Sequence, residues 1–253
     1  MCFDTDALPP ITPISGAAIH HDDLVLTAAD GAEFAAFEAR AEHHPRSGVV
    51  VLPDVRGLFR FYEELGLRFA ERGVDAVVID YFGRTAGISK RTDDWEYMPH
   101  VELVTQEGLE ADVVAAIHRL RSGREPMSLF TVGFCFGGSN SWHQAANGLG
   151  LAGAVGFYGN PSRPDRPKGA PPVVARVGEM RGAILGLMGG DDPGIPQADV
   201  DAYREALDAA GVKNEIVVYE GAPHSFFDRK QDDYAADSAD AWERVLAFIE
   251  ANG

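Results

Sequence analysis

The chain reads as an α/β protein with a mostly parallel central sheet, an antiparallel hairpin on its N-terminal side and helices on both faces. Three observations lead there. Short, continuous apolar runs such as Gly48-Val49-Val50-Val51-Leu52 recur along the chain, as expected of strands buried on both faces of a parallel sheet. Segments with helical apolar spacing separate these runs. Strands alternating with helices call for right-handed crossovers and a parallel sheet covered on both sides.

The elements follow in order. The first twenty or so residues, with Pro9, Pro10 and Pro13, read as an extended arm. Leu24 to Thr27 and Glu33 to Ala39, joined by Ala-Ala-Asp-Gly, form the hairpin. After the strand Gly48 to Leu52, the helical pattern Phe61 to Arg72 stops at Gly73, a C-cap signal, and Asp75 to Ile79 is the next buried strand. The spacing then predicts a helix over Glu102 to Leu120, a strand over Met127 to Val132 and a helix running to about Asn147. Ala152 to Tyr158 and Ala183 to Met188 are further strands. Gln197 to Ala210 is a helix stopped by Gly211, Glu215 to Tyr219 is the last strand, and Tyr234 to Glu250 closes the chain as an amphipathic helix. With no repeat and no linker visible, one domain spanning residues 1–253 is expected. Two longer irregular stretches, Tyr81 to His100 and the Pro- and Arg-rich Gly159 to Arg181, are candidate pocket walls, because loops beyond the carboxyl ends of such strands hold the ligand.

Composition narrows the function. The formal net charge of −17 argues against nucleic acid and anionic membranes as partners. Two cysteines, Cys2 and Cys135, make no disulfide framework and suit a reducing compartment. The N-terminus has no basic or apolar leader and no apolar run reaches membrane-spanning length, so a cytoplasmic location is expected.

The most telling segment is Gly133-Phe134-Cys135-Phe136-Gly137-Gly138, lying between a strand and a helix. A nucleophile on such a turn stands proud of the sheet, and glycines two residues to either side let neighbouring backbone pass where a Cβ would clash. The helix start favours a thiolate. A thiol nucleophile needs a base, and the base an orienting acid. In this architecture the acid and then the histidine follow the nucleophile, each at the end of a later strand. The strand Ile184 to Met188 runs into Gly189-Gly190-Asp191-Asp192-Pro193, and the strand Glu215 to Tyr219 runs into Glu220-Gly221-Ala222-Pro223-His224. Cys135, one of Asp191 and Asp192, and His224 therefore reach the same sheet edge, with one aspartate free to cap the turn while the other faces the imidazole. Of the other histidines, His20, His21, His43 and His44 precede the nucleophile, His118 and His143 sit within helices, and His100 is in a loop. An oxyanion would be held by the N–H groups of Phe136 and, from the loop after Leu52, Val55.

Together these residues resemble the dienelactone hydrolase family of α/β-hydrolases, from the first main strand to the last helix. The resemblance is carried by the Cys135 turn, by Gly-Gly-x-Asp-x-x-x-Pro at Gly189 to Pro196 and by His224-Ser225-Phe226. It implies the α/β-hydrolase fold and hydrolysis of a small lactone or activated ester by a Cys-His-Asp triad, without metal or cofactor. It makes Cys135 the nucleophile, His224 the base and then acid, and Asp192 the orienting carboxylate. A thioesterase or general carboxylesterase with the same triad, and a catalytically silent small-ligand binder, are the alternatives; a monomer or weak homo-oligomer is expected. Asp80-Tyr81-Phe82-Gly83-Arg84 matches Asp-x-x-x-Arg, so the resemblance makes Arg84 a binder of a substrate carboxylate. Two departures stand out. Asp54 occupies the place of the family glutamate that contacts the resting thiol, and Asp228 stands four residues after His224 where a second arginine is expected, with Arg229 one residue later. The long Gly159 to Arg181 stretch implies an altered pocket.

Overall fold

The computed structural model describes residues 7–15, 19–42, 45–92, 94–124 and 127–253. The start of the expected arm, with Cys2, and the histidines His43 and His44 lie outside the described residues. Among those described, eight strands form one sheet: β1 (Ile19–Thr27), β2 (Glu33–Ala41), β3 (Ser47–Leu52), β4 (Val74–Ile79), β5 (Ser128–Phe134), β6 (Gly153–Phe157), β7 (Ala183–Gly189) and β8 (Asn214–Tyr219). Their order is β1-β2-β4-β3-β5-β6-β7-β8. The pairs β1–β2 and β2–β4 are antiparallel and all the others are parallel.

The helices are α1 (Arg60–Glu71), the single turns α2 (Gly83–Ala86) and α3 (Met98–Val101), α4 (Gln106–Arg121), α5 (Phe136–Ala145), α6 (Gln197–Ala209) and α7 (Ala235–Asn252). A 3₁₀ helix at Val173–Glu179 lies within the long stretch before β7. Alternate residues of β3 show why the sheet is covered on both sides. Val49 and Val51 pack in one cluster with Phe61, Leu65 and Phe69 of α1, while Val50 and Leu52 pack in another with Leu109, Val113 and Ile117 of α4. All six β3 residues are buried, which explains why the strand shows no polar alternation.

One predicted helix starts later than expected. Instead of a continuous helix from Glu102, the chain makes the turn α3, breaks, and restarts at Gln106. Thr105 ends the break: its backbone is extended and its hydroxyl accepts the Gly108 N–H at 3.1 Å, an N-cap that a purely apolar count overlooks.

The sheet order sets the place of the site. From β3 the chain crosses to β4 on one side, then returns past β3 to β5 on the other. The connections leaving β3 and β5 therefore diverge, opening a crevice beyond the carboxyl ends of those strands. Leu52, the last residue of β3, is in register with Gly133, two residues before Cys135, so the loop after β3 and the Cys135 turn stand side by side.

Candidate active site

Cys135 sits between β5 and α5 with φ 55° and ψ −112°, a left-handed backbone that an L-residue adopts only under strain. The turn is held from outside by the Cys135 N–H, which donates to the Phe157 carbonyl at 3.0 Å. The glycines around it are there for backbone approach. A Cβ on Gly133 would strike the Gly137 carbonyl, and one on Gly137 would strike the carbonyls of Leu52 and Pro53. The close packing of β5, α5 and the β3 loop therefore demands glycine at both positions.

Asp192 comes from the turn after β7 and His224 from the turn after β8. His224 Nδ1 and Asp192 Oδ2 are 2.5 Å apart, and the Cys135 sulfur lies near enough to the ring to favour its protonated form. Asp192 is buried, and its second oxygen, Oδ1, accepts the Gly194 N–H at 2.8 Å. One aspartate thus both caps the turn and faces the ring, where the sequence suggested that two would divide these tasks. Asp191 is exposed and ties the loop to its neighbour through its backbone N–H, donated to the Ala222 carbonyl at 2.9 Å.

The charge state of the ring follows from these contacts. Burial favours the neutral imidazole, but the hydrogen bonds and charges of Asp192 and Cys135 overcome it, and His224 is raised to about 10. The ring lies beside Tyr158, with centroids 5.0 Å apart, and the Tyr158 hydroxyl donates to Asp228 Oδ2 at 2.8 Å. Burial pushes the Asp228 carboxyl up, against the Arg229 N–H, the Tyr158 hydroxyl and the Arg229 charge. The site where the family arginine was expected is therefore a buried carboxyl bonded to a tyrosine.

A cavity of about 350 Å³ opens over the sulfur, a size suited to a small organic molecule. Cys135, His224, Asp192, Val55 and Phe136 line it, together with Ser139, Tyr158, Asn160, Arg163, Arg166 and the segment 193–195. Phe136 is the first residue of α5, so its N–H has no carbonyl one turn back to serve, and Val55 faces it from the β3 loop.

Three of the expected site residues lie elsewhere. Arg84 is not in this cavity; α2 aims it at α4, where its guanidinium binds Asp112 and also Asp30 at 2.9 Å. The motif located its backbone, but two carboxylates capture its side chain. Asp54 is buried and folds back on its own loop, accepting the Arg56 N–H at 2.8 Å with the Arg56 guanidinium 3.7 Å away. Burial, aided by Asp228 and opposed by Arg56, pushes Asp54 up to about 6. It braces the β3 loop rather than lining the cavity. Arg229 is exposed and donates to the Ser225 hydroxyl at 3.3 Å. Conversely, Tyr158, Arg163, Arg166 and Asn160 were not singled out from sequence; the Arg-rich Gly159 to Arg181 stretch was the only signal for three of them. Among the described residues, no group of three or more His, Cys, Asp or Glu side chains could hold a metal ion, and no helix is long and apolar enough to cross a membrane.

A mostly parallel sheet with Cys135 on a strand-to-helix elbow and an Asp–His pair at the same edge defines an α/β-hydrolase. The sequence model of the Dienelactone hydrolase family matches residues 34–252. A protein of Escherichia coli (strain K12) that carries the provisional name carboxymethylenebutenolidase is 28% identical, over 97% of this chain and 94% of the relative. The carboxymethylenebutenolidase of Rhodococcus opacus is 27% identical over 80% of each chain. Among solved structures, a provisionally named dienelactone hydrolase from Klebsiella pneumoniae superposes with a TM-score of 0.78 at 27% identity, covering 92% of this chain and 99% of its own. The chain belongs to the dienelactone hydrolase family, and it is a hydrolase.

Proposed function

We propose that this chain, acting as one domain, hydrolyses a small lactone or an activated carboxylic ester through Cys135, His224 and Asp192. The observation that carries this reading is the imidazole of His224 bonded to Asp192 at 2.5 Å and lining, beside the Cys135 sulfur, a cavity of small-molecule size.

The chemistry runs as a two-stage acyl transfer. The Cys135 sulfur, charged beside the imidazolium, attacks the carbonyl carbon and pushes the electron pair onto oxygen. The N–H groups of Phe136 and Val55 hold that oxyanion. Collapse breaks the bond to the leaving oxygen, which takes the proton from His224 Nε2, and leaves a thioester on Cys135. Neutral His224 then removes a proton from water, the hydroxide attacks the thioester, and the carboxylic acid departs as the sulfur is restored. Asp192 keeps the ring oriented and stabilises its positive form throughout. A thiolate expels enolate-like and aryl oxide groups readily and amines poorly, which is why lactones and activated esters are the substrates proposed. The same triad could serve a thioesterase, so the leaving group is the point to measure.

The purified protein is expected to hydrolyse 4-nitrophenyl acetate and an enol lactone with higher kcat/KM than an alkyl thioester, and to lose that activity in proportion to alkylation of Cys135 by iodoacetamide. A preference for the thioester would make it a thioesterase, and full activity after complete alkylation would remove Cys135 from the mechanism.

A further inference from the structure

Two adjacent residues at the end of β6, Phe157 and Tyr158, are tied to the elements that carry all three members of the proposed triad. The Phe157 carbonyl accepts the Cys135 N–H at 3.0 Å and so fixes the elbow. One residue on, the Tyr158 N–H donates to the Leu187 carbonyl of β7 at 2.8 Å, close to the strand end that leads to Asp192. The Tyr158 side chain then reaches the turn of His224. Its hydroxyl donates to Asp228 Oδ2 at 2.8 Å, and its ring centre lies 5.0 Å from that of the imidazole. Tyr158 and Asp228 are both buried, where a hydrogen bond is strong and its loss costly.

The backbone at these contacts is strained. Among the described residues, four other than glycine have left-handed backbone, and three of them are Cys135, Tyr158 (φ 37°) and Ser225 (φ 63°), the residue after His224. Such conformations persist only where the surroundings over-determine them. The turn after His224 is partly closed on itself. The Ser225 carbonyl accepts the N–H groups of Asp228 at 3.2 Å and Lys230 at 3.1 Å, and Asp228 Oδ1 takes the Arg229 N–H. The Tyr158 hydroxyl, by contrast, joins this turn to the strand end that also holds Cys135. The bond depends on the residue type at 228. An arginine there would have no acceptor for the Tyr158 hydroxyl, whereas aspartate has two.

We propose that Tyr158, acting through Asp228, is a positioning residue for the hydrolysis: it holds the His224 turn so that the imidazole keeps its place beside Asp192 and the Cys135 sulfur. The proposal rests on the hydrolase reading given above. Its leverage is geometric, since a catalytic group displaced by about 1 Å can cost about 100-fold in rate.

The test is a double-mutant cycle with a rescue. Tyr158→Phe and Asp228→Ala each remove the bond and are expected to lower kcat on 4-nitrophenyl acetate by about 10- to 100-fold, with KM changed by less than about twofold. The double variant should lose no more than either single one, because both remove the same interaction. Asp228→Asn supplies the rescue. Its carbonyl can accept the Arg229 N–H while its amide donates to the Tyr158 oxygen, so kcat should return to within about threefold of the wild type. ¹⁵N histidine spectra give a readout free of turnover: the His224 resonances should shift in Tyr158→Phe and Asp228→Ala and return in Asp228→Asn. Wild-type kcat in Tyr158→Phe, losses that multiply in the double variant, or a lowered melting temperature with His224 resonances unmoved would overturn the proposal. If the wild type turns over no ester, the hydrolase reading fails, and the spectra alone decide whether Tyr158 positions the ring.

Discussion

Cys135→Ala is expected to lower kcat/KM for aryl-ester and lactone hydrolysis by about 10⁴-fold or more, the scale seen when the nucleophile of a triad is removed. The loss is expected without unfolding. The Cys135 side chain is only half-buried, alanine can occupy the same strained backbone, and the turn is held by the Cys135 N–H and the glycine contacts, which remain. The thermal midpoint should therefore move by no more than a few degrees. Circular dichroism melting beside steady-state kinetics separates the two effects. A variant that melts like the wild type and still hydrolyses esters at the wild-type rate would end the nucleophile assignment.

Asp192→Asn should be the second-largest change, about 10²- to 10⁴-fold in kcat. The reason lies in the balance at His224. Burial lowers its affinity for the proton, while Asp192 and the Cys135 sulfur raise it to about 10. Asparagine keeps the size but removes the charge, and its amide can present a donor to Nδ1, favouring the wrong tautomer. With burial less opposed, the ring should lose its proton at a lower pH. The sign is then fixed: His224, raised to about 10 by Asp192 and the neighbouring sulfur against burial, loses the larger of these supports in the variant. In the variant, the titration of the His224 ring should move to lower pH. ¹⁵N histidine spectra recorded from pH 5 to 10 would show this. Superimposable profiles would mean that Asp192 does not set the state of the ring.

How far the sequence reaches into this site depends on what holds each residue. Cys135, Asp192 and His224 follow directly from strand ends, and parallel strand ends share one edge, so their meeting could be read from chain order alone. Strand order left Asp191 and Asp192 open, and the family pattern counted from Gly189 chose Asp192, the side chain that the turn buries. Arg84 shows the opposite limit: its position after β4 matches the motif, yet Asp112, half a helix into α4, and Asp30, in the hairpin turn, draw it away. Such competition between long-range partners leaves no periodic mark. The same holds for Asp228, bonded to Tyr158 seventy positions away in sequence, whereas Asp54 is turned onto Arg56 of its own loop. Arg163 and Arg166 lie on a loop with no regular pattern, so only the charge content of that stretch hinted at a pocket wall. The later start of α4, after Thr105, was missed because the apolar spacing continues across the cap.

The claim on which the chemistry depends is that an acyl group passes through the sulfur of residue 135. The direct measurement is acid-quench mass spectrometry of the protein mixed with a slowly deacylating aryl ester, followed by peptide mapping. A mass increase equal to the acyl group, located on the peptide containing Cys135, labile to hydroxylamine and absent from Cys135→Ala, is the expected result. Turnover that proceeds with no adduct at that residue, or with the acyl group trapped on another side chain, would contradict it.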